Sequence, residues 1–173
     1  MLNVSRLLLA GAAGLTLMAL APTPSFAVGD EPARPKKCSQ FKDGSAGWKK
    51  CMGTKLTDDV DSYSVGYWMA KTGDYATALD LLRSVKNQSD PRVQTMIGFA
   101  LRRLGHVDEA MAYYTAALAT DPNRTSTRQY LGEAFLQKGD RSAALGQLGE
   151  IGQRCGTTSE HYRQLADAIA KTG

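Results

Sequence analysis

Two histidines, three cysteines and a run of evenly spaced glycines are the residues of this chain whose types could carry chemistry. His106 precedes Asp108 and Glu109, which on paper is an acid–base cluster. The same acids open a helical pattern, where carboxylates are favoured by the unpaired backbone N–H groups of a first turn, so capping accounts for them. His161 also sits among polar residues, and both histidines read as solvated side chains. Gly146, Gly149 and Gly152 have a G-x-x-G-x-x-G spacing, but a nucleotide-binding loop must follow a strand and open a helix. These three fall inside a helical pattern, where their phase lines one stripe that either admits a neighbouring helix or leaves the hairpin loose. The sequence contains no nucleophile elbow, phosphate loop or metal-ligand spacing. Catalysis, a cofactor and a bound metal are therefore not expected.

The cysteines are a matter of compartment. Met1 to Ala27 has the form of a secretory leader: Arg6, an apolar run from Leu7 to Ala21, Pro22 and Pro24, then the small residues Ser25 and Ala27 around Phe26. The run is shorter than the roughly 18 residues of a membrane span, so cleavage after Ala27 is expected, leaving no integral span. Export places Cys38 and Cys51 where thiols oxidise, and the Gly- and Ser-containing segment between them can close a loop. A disulfide there is worth on the order of 3 kcal/mol by chain entropy. Cys155 is left over: it is either a small residue buried at a helix end, the preferred reading, or a thiol that couples two chains.

Of the 173 residues, 43% are hydrophobic and 22% charged, and the net charge is +4. That charge is local. Val28 to Ala33 carries −2, Arg34 to Lys55 carries +6 and Leu56 to Gly173 carries −1. The basic stretch holds Pro35, Gly44, Gly47 and Gly53 with few aliphatic residues and lacks core-forming periodicity, so residues 28–55 read as a short Cys-bracketed loop. Residues 56–173 read as one helical domain.

That domain repeats. Gly73, Gly105, Gly139 and Gly173 recur in register with Val65, Ile97, Leu131 and Leu165, and a small residue follows each of these four: Gly66, Gly98, Gly132 and Ala166. Met69, Leu101, Phe135 and Ile169 stand three positions beyond those small residues. Ala78, Ala110 and Ala144 follow the turn glycines, then Leu82, Tyr114 and Leu148, then Val85, Ala117 and Ile151. The spacings of three and four put the apolar members on one helix face, so each period is a helical hairpin. The small residues let its two helices approach, with Gly66, Gly98 and Gly132 expected to face Ala78, Ala110 and Ala144. Asp90-Pro91 and Asp121-Pro122 separate the hairpins. Helices are expected near 58–71, 74–86, 91–104, 107–120, 125–138, 141–154 and 158–171.

The pattern resembles the tetratricopeptide repeat, a 34-residue helical hairpin. The second period carries the resemblance furthest, through Ile97, Gly98, Leu101, Ala110, Tyr114, Ala117 and Pro122. The third keeps Leu131, Gly132, Phe135 and Ala144, with Leu148 and Ile151 in place of the usual Tyr and Ala, and the first keeps Gly66 and Ala78. No repeat has the frequent tryptophan of the first turn, for which Tyr162 is the nearest substitute. The stretches Gly98–Asn123 and Arg154–Ile169, behind a leader and a two-cysteine loop, are similar to small exported repeat proteins of alphaproteobacteria, which implies a periplasmic location. Members of that group often have a second cysteine where this chain has Ser159. The resemblance implies an all-α solenoid of about three hairpins with a C-terminal capping helix, preceded by the disulfide-closed loop.

Such solenoids bind extended peptides or partner helices on the concave face lined by the first helix of each repeat. Phasing places Tyr63, Tyr67 and Lys71 there from the first repeat, Arg92, Thr95, Phe99, Arg102 and Arg103 from the second, and Gln129, Glu133 and Gln137 from the third, with Glu133 near one arginine. Tyr67 and Phe99 are expected side by side. Aromatic and arginine side chains dominate binding hot spots, so the expected partner is another envelope protein or a peptide segment with acidic and apolar side chains, and no nucleic acid. Met96 and Tyr130 stand where a carboxylate clamp of the chaperone-tail type would want asparagine and arginine. The alternative from a different class is an envelope-surface module, in which Arg34 to Lys55 contacts anionic lipid or cell wall.

Overall fold

The computed structural model describes residues 31–32, 38, 40–52 and 59–172. The leader and its cleavage point lie outside them. Every regular element among the described residues is a helix: α1 Ala46–Met52, α2 Asp59–Lys71, α3 Tyr75–Ser84, α4 Pro91–Arg103, α5 Val107–Thr120, α6 Thr125–Gln137, α7 Arg141–Cys155 and α8 Glu160–Lys171. From α2 onward these agree with the periodicity to within two residues at each end.

The hairpin turns show why the glycines recur. At the end of α4, Gly105 takes φ 93°, a left-handed conformation that costs a residue without Cβ little. Its N–H reaches the Arg102 carbonyl at 3.1 Å while the His106 N–H returns to Leu101 at 2.9 Å, the paired bonds of a Schellman ending. Gly73 and Gly139 repeat this arrangement after α2 and α6. Between hairpins, Asp90 caps α4 by accepting from the Arg92 N–H at 2.8 Å, with Pro91 at the first helical position.

Small residues set the packing inside the first two hairpins. A Cβ added at Gly66 would lie 2.8 Å from Leu82, and one added at Gly98 would lie 2.6 Å from the Tyr114 ring, with Ala78 and Ala110 fully buried nearby. The third hairpin differs from expectation. Nearest to Gly132 is Leu165 of α8, at 2.6 Å from an added Cβ, where the first two hairpins have Leu82 and Tyr114 of their own second helix. The physical reason lies in α8, whose Leu165 and Ile169 are its buried residues and form one core with Ala144 and Ile151. Of the glycine stripe on α7, Gly152 meets Tyr162 of α8, while Gly146 and Gly149 face open space.

The N-terminal segment is more than a loop. It contains α1, and Cys38, Trp48 and Met52 are buried in the same core as Trp68 and Met69 of α2. Cys38 and Cys51 are bonded, with Cα atoms 5.8 Å apart. Lys49 pairs with Asp74 at 3.0 Å, and the Trp68 indole donates to the Pro32 carbonyl at 3.3 Å. Burial would raise the Asp74 carboxyl, yet Lys49 and Thr77 beside it hold it below the usual carboxylate range. The disulfide-closed segment is thus an N-terminal cap, and α8 closes the other end with Glu160, Arg163, Gln164, Asp167 and Lys171 outward.

Candidate functional site

The helices α2, α4, α6 and α8 stack one on the next, and theirs is the wall that phasing makes the inner one. In α4, Phe99 packs between the ring of Tyr130 on α6, with centroids 4.9 Å apart, and that of Tyr75 on α3, 6.2 Å away. In α2, Tyr67 packs with Tyr63 at 6.3 Å and Trp68 at 5.3 Å. These contacts replace the Tyr67–Phe99 pair expected from phase. Tyr63, Tyr67, Phe99 and Tyr130 are all buried, each at 7 to 8% exposure, so the aromatic groups form a floor rather than an open row. Burial pushes the Tyr130 phenol well above its ordinary value, with Tyr67 and Glu133 adding to the shift.

A chain of polar contacts runs across this floor. Arg102 Nη2 donates to Glu133 Oε2 at 2.5 Å, Gln129 Nε2 donates to Glu133 Oε1 at 2.9 Å, and Gln129 Oε1 meets His161 Nδ1 of α8 at 2.8 Å. Thr95 and Thr127 share a hydrogen bond at 2.6 Å. Arg102 is a buried ion-pair partner that also lies 5.8 Å from the Phe99 ring, and its Nε has no hydrogen-bond partner. Glu133 is therefore the acid for Arg102.

The other cations stand at the rim, each over a ring. Lys71 lies 5.8 Å from the Phe99 centroid, Arg92 lies 5.4 Å from Tyr63, and Arg103 lies 4.9 Å from Tyr75. All three are exposed. Arg92 is held by its helix cap, Asp90, at 2.6 Å, and this contact together with the Arg92 hydrogen bonds keeps the Asp90 carboxyl below its usual value. Lys71 and Arg103 form no ion pair among the described residues. The structure thus brings Lys71, Phe99, Arg102, Gln129 and Glu133 together, and sets Arg92 and Arg103 to either side. Gln137 is exposed at the end of α6.

Three participants were not anticipated. Tyr75 was unassigned, and its place at the first position of α3, one residue beyond the turn, was the available signal. Tyr130 stood out only as a departure from a clamp pattern, although its register beside Gln129 puts it on the inner wall. His161 is half-buried against Gln129, contrary to the solvated side chain expected of it, because α8 packs on α6 with that face inward. His106 is exposed, as expected.

A family model described as tetratricopeptide repeat matches residues 91–134, which span α4, α5 and most of α6. Residues 91–134 carry a tetratricopeptide repeat. All seven signature positions of the second period lie in the matched stretch, with Ile97, Gly98, Ala110, Tyr114 and Ala117 at its buried centre. Solved tetratricopeptide structures share the fold. YrrB, described as a TPR protein with an unusual peptide-binding site, aligns with a TM-score of 0.60 and 20% identity over 72% of this chain and 65% of its own. The type III secretion translocator chaperone SycD of Yersinia enterocolitica aligns at 0.58 and 18% identity over 74% and 92%. In complex with a peptide of the translocator YopD, SycD aligns at 0.56 and 18% identity over 69% and 93%. No curated protein matches this chain.

Proposed function

We propose that this protein is an exported, periplasmic, non-enzymatic scaffold whose concave wall binds a segment of another envelope protein bearing acidic and apolar side chains. The observation that carries this reading is that Lys71 and Arg103 are exposed, without an acidic partner among the described residues, and each held over an aromatic ring at the rim of the floor. A carboxylate approaching there meets charge-assisted donors, and apolar side chains of the same segment meet Tyr63, Tyr67 and Phe99. The peptide-bound state of SycD and the peptide-binding site of YrrB support a peptide as ligand. The leader supports export.

The test is photo-cross-linking in intact cells from a reactive residue at position 103, with mass spectrometry of the captured segment, followed by binding of that segment as a synthetic peptide. Phe99→Ala is expected to weaken binding roughly thirtyfold, as for a central aromatic anchor. Lys71→Ala/Arg103→Ala is expected to weaken it about tenfold. Unchanged affinity in both overturns the groove reading. N-terminal sequencing of the periplasmic fraction is expected to begin at Val28.

A further inference from the structure

The concave wall leaves the charge of the N-terminal cap unexplained. Phe41, Lys42, Lys49 and Lys50 are exposed on the segment whose Cys38, Trp48 and Met52 are buried, so α1 and the turn before it put apolar groups inward and lysines outward. Phe41 is the exception. It is 38% exposed, yet fixed: its N–H bonds to the Cys38 carbonyl at 3.1 Å, and its ring lies so close to Gly47 that a Cβ there would fall 2.8 Å away. A fixed, exposed aromatic thus shares this short segment with three exposed lysines, of which Lys49 pairs with Asp74.

The sequence adds charge next to the bridged cysteines. Lys50 is bonded to Cys51, the sequence puts Lys36 and Lys37 directly before Cys38, and the two cysteines have Cα atoms 5.8 Å apart. The net charge of Arg34 to Lys55 is +6, against −1 for everything from Leu56 onward. Gathering like charges at one bridge costs self-repulsion. An anionic surface reverses that cost, with about 1 kcal/mol gained for each lysine or arginine near it. Lysines beside an exposed aromatic ring suit a lipid interface, where ring and headgroup each find their layer.

We propose that the cap docks on an anionic lipid bilayer, with Lys42, Lys49 and Lys50 at the headgroups and Phe41 in the interface. This surface shares no residue with the groove and does not depend on the groove reading.

The probe is a vesicle of phosphatidylcholine with about one-third phosphatidylglycerol, co-sedimented with the chain from Val28, which includes every described element. Binding is expected to fall steeply with salt and to vanish on pure phosphatidylcholine. Lys42→Gln/Lys49→Gln/Lys50→Gln is expected to bind about a hundredfold more weakly, roughly fivefold for each lysine. Phe41→Ser is expected to remove the part of the binding that survives high salt, and Arg103→Gln to bind as wild type. Equal binding to uncharged vesicles overturns the proposal, and so does a triple variant that binds like wild type. Binding to a DNA duplex or isolated cell wall without binding to vesicles also overturns it, assigning the patch to a different polyanion.

Discussion

Gly98→Ala tests whether the helical glycines are there for close packing. Glycine inside a helix is about 1 kcal/mol less favourable than alanine, so the substitution stabilises α4 unless something opposes it. At Gly98 the new Cβ would lie 2.6 and 2.8 Å from two atoms of the Tyr114 ring and 3.1 Å from the Ala110 carbonyl oxygen. Carbon atoms rest about 3.5–4.0 Å apart, so the ring has to retreat by roughly 1 Å. It has nowhere to go: Tyr114 is fully buried and packs on Tyr130 with centroids 6.3 Å apart. Overpacking of this kind costs about 1–3 kcal/mol, and with both a ring and a backbone carbonyl in the way the upper part of that range applies. The expected net effect is a loss of about 2 kcal/mol, or roughly 8 °C in Tm. Gly146→Ala is the matched control, because its Cβ meets nothing within 4 Å, and it is expected to gain up to about 1 kcal/mol. Urea unfolding followed by far-UV circular dichroism measures both. If Gly98→Ala is as stable as wild type, or if both variants shift the same way, the close-approach account of the repeat is wrong.

Arg102→Ala is expected to destabilise the fold by about 3 kcal/mol, because it strands Glu133 and Gln129 in a partly buried network; a urea midpoint unchanged from wild type would return Arg102 to the role of a free ligand anchor. Replacing Cys38 and Cys51 by serine is expected to cost on the order of 3 kcal/mol, seen as tryptophan emission shifting to the red as Trp48 loses its buried site. For Asp74 and Asp90, folding lowers the pKa below the ordinary 3.8, so their contribution is present above that value and is lost as pH falls through the depressed folded values. An acid titration followed by circular dichroism should therefore flatten in Asp74→Asn/Asp90→Asn, and a profile identical to wild type would refute the assignment.

The fold was legible because the helices repeat the same residues for the same steric reason: a turn glycine, a small residue facing a large one, and apolar residues three and four apart. Two departures came from packing that no single repeat specifies. Gly132 has the same sequence context as Gly98, yet its neighbour is Leu165, because the last helix has no following repeat and closes onto α6. The helix α1 was missed because its seven residues hold too few apolar positions to show a period, and its burial comes from the disulfide and from Trp68. In the candidate site, phase alone placed Lys71, Phe99, Arg102, Gln129 and Glu133 on one wall. Phase also set Glu133 near an arginine, and the structure shows that it is Arg102, but phase carries no information about which side chains bury one another, so the covering of the tyrosines and the reach of His161 across from α8 became visible only in three dimensions.

The apolar interior is divided. One core runs from the cap to α6, and a smaller one joins α7 and α8, with Phe135 packing against both. Phe135 is the apolar side chain common to both, and beside it the joint is held by the Gly132–Leu165 approach and by the Gln129–His161 and Arg128–Glu150 contacts. The last two helices are thus keyed to the rest of the stack by a short set of contacts on α6, one apolar, one steric and two polar, rather than by a continuous core.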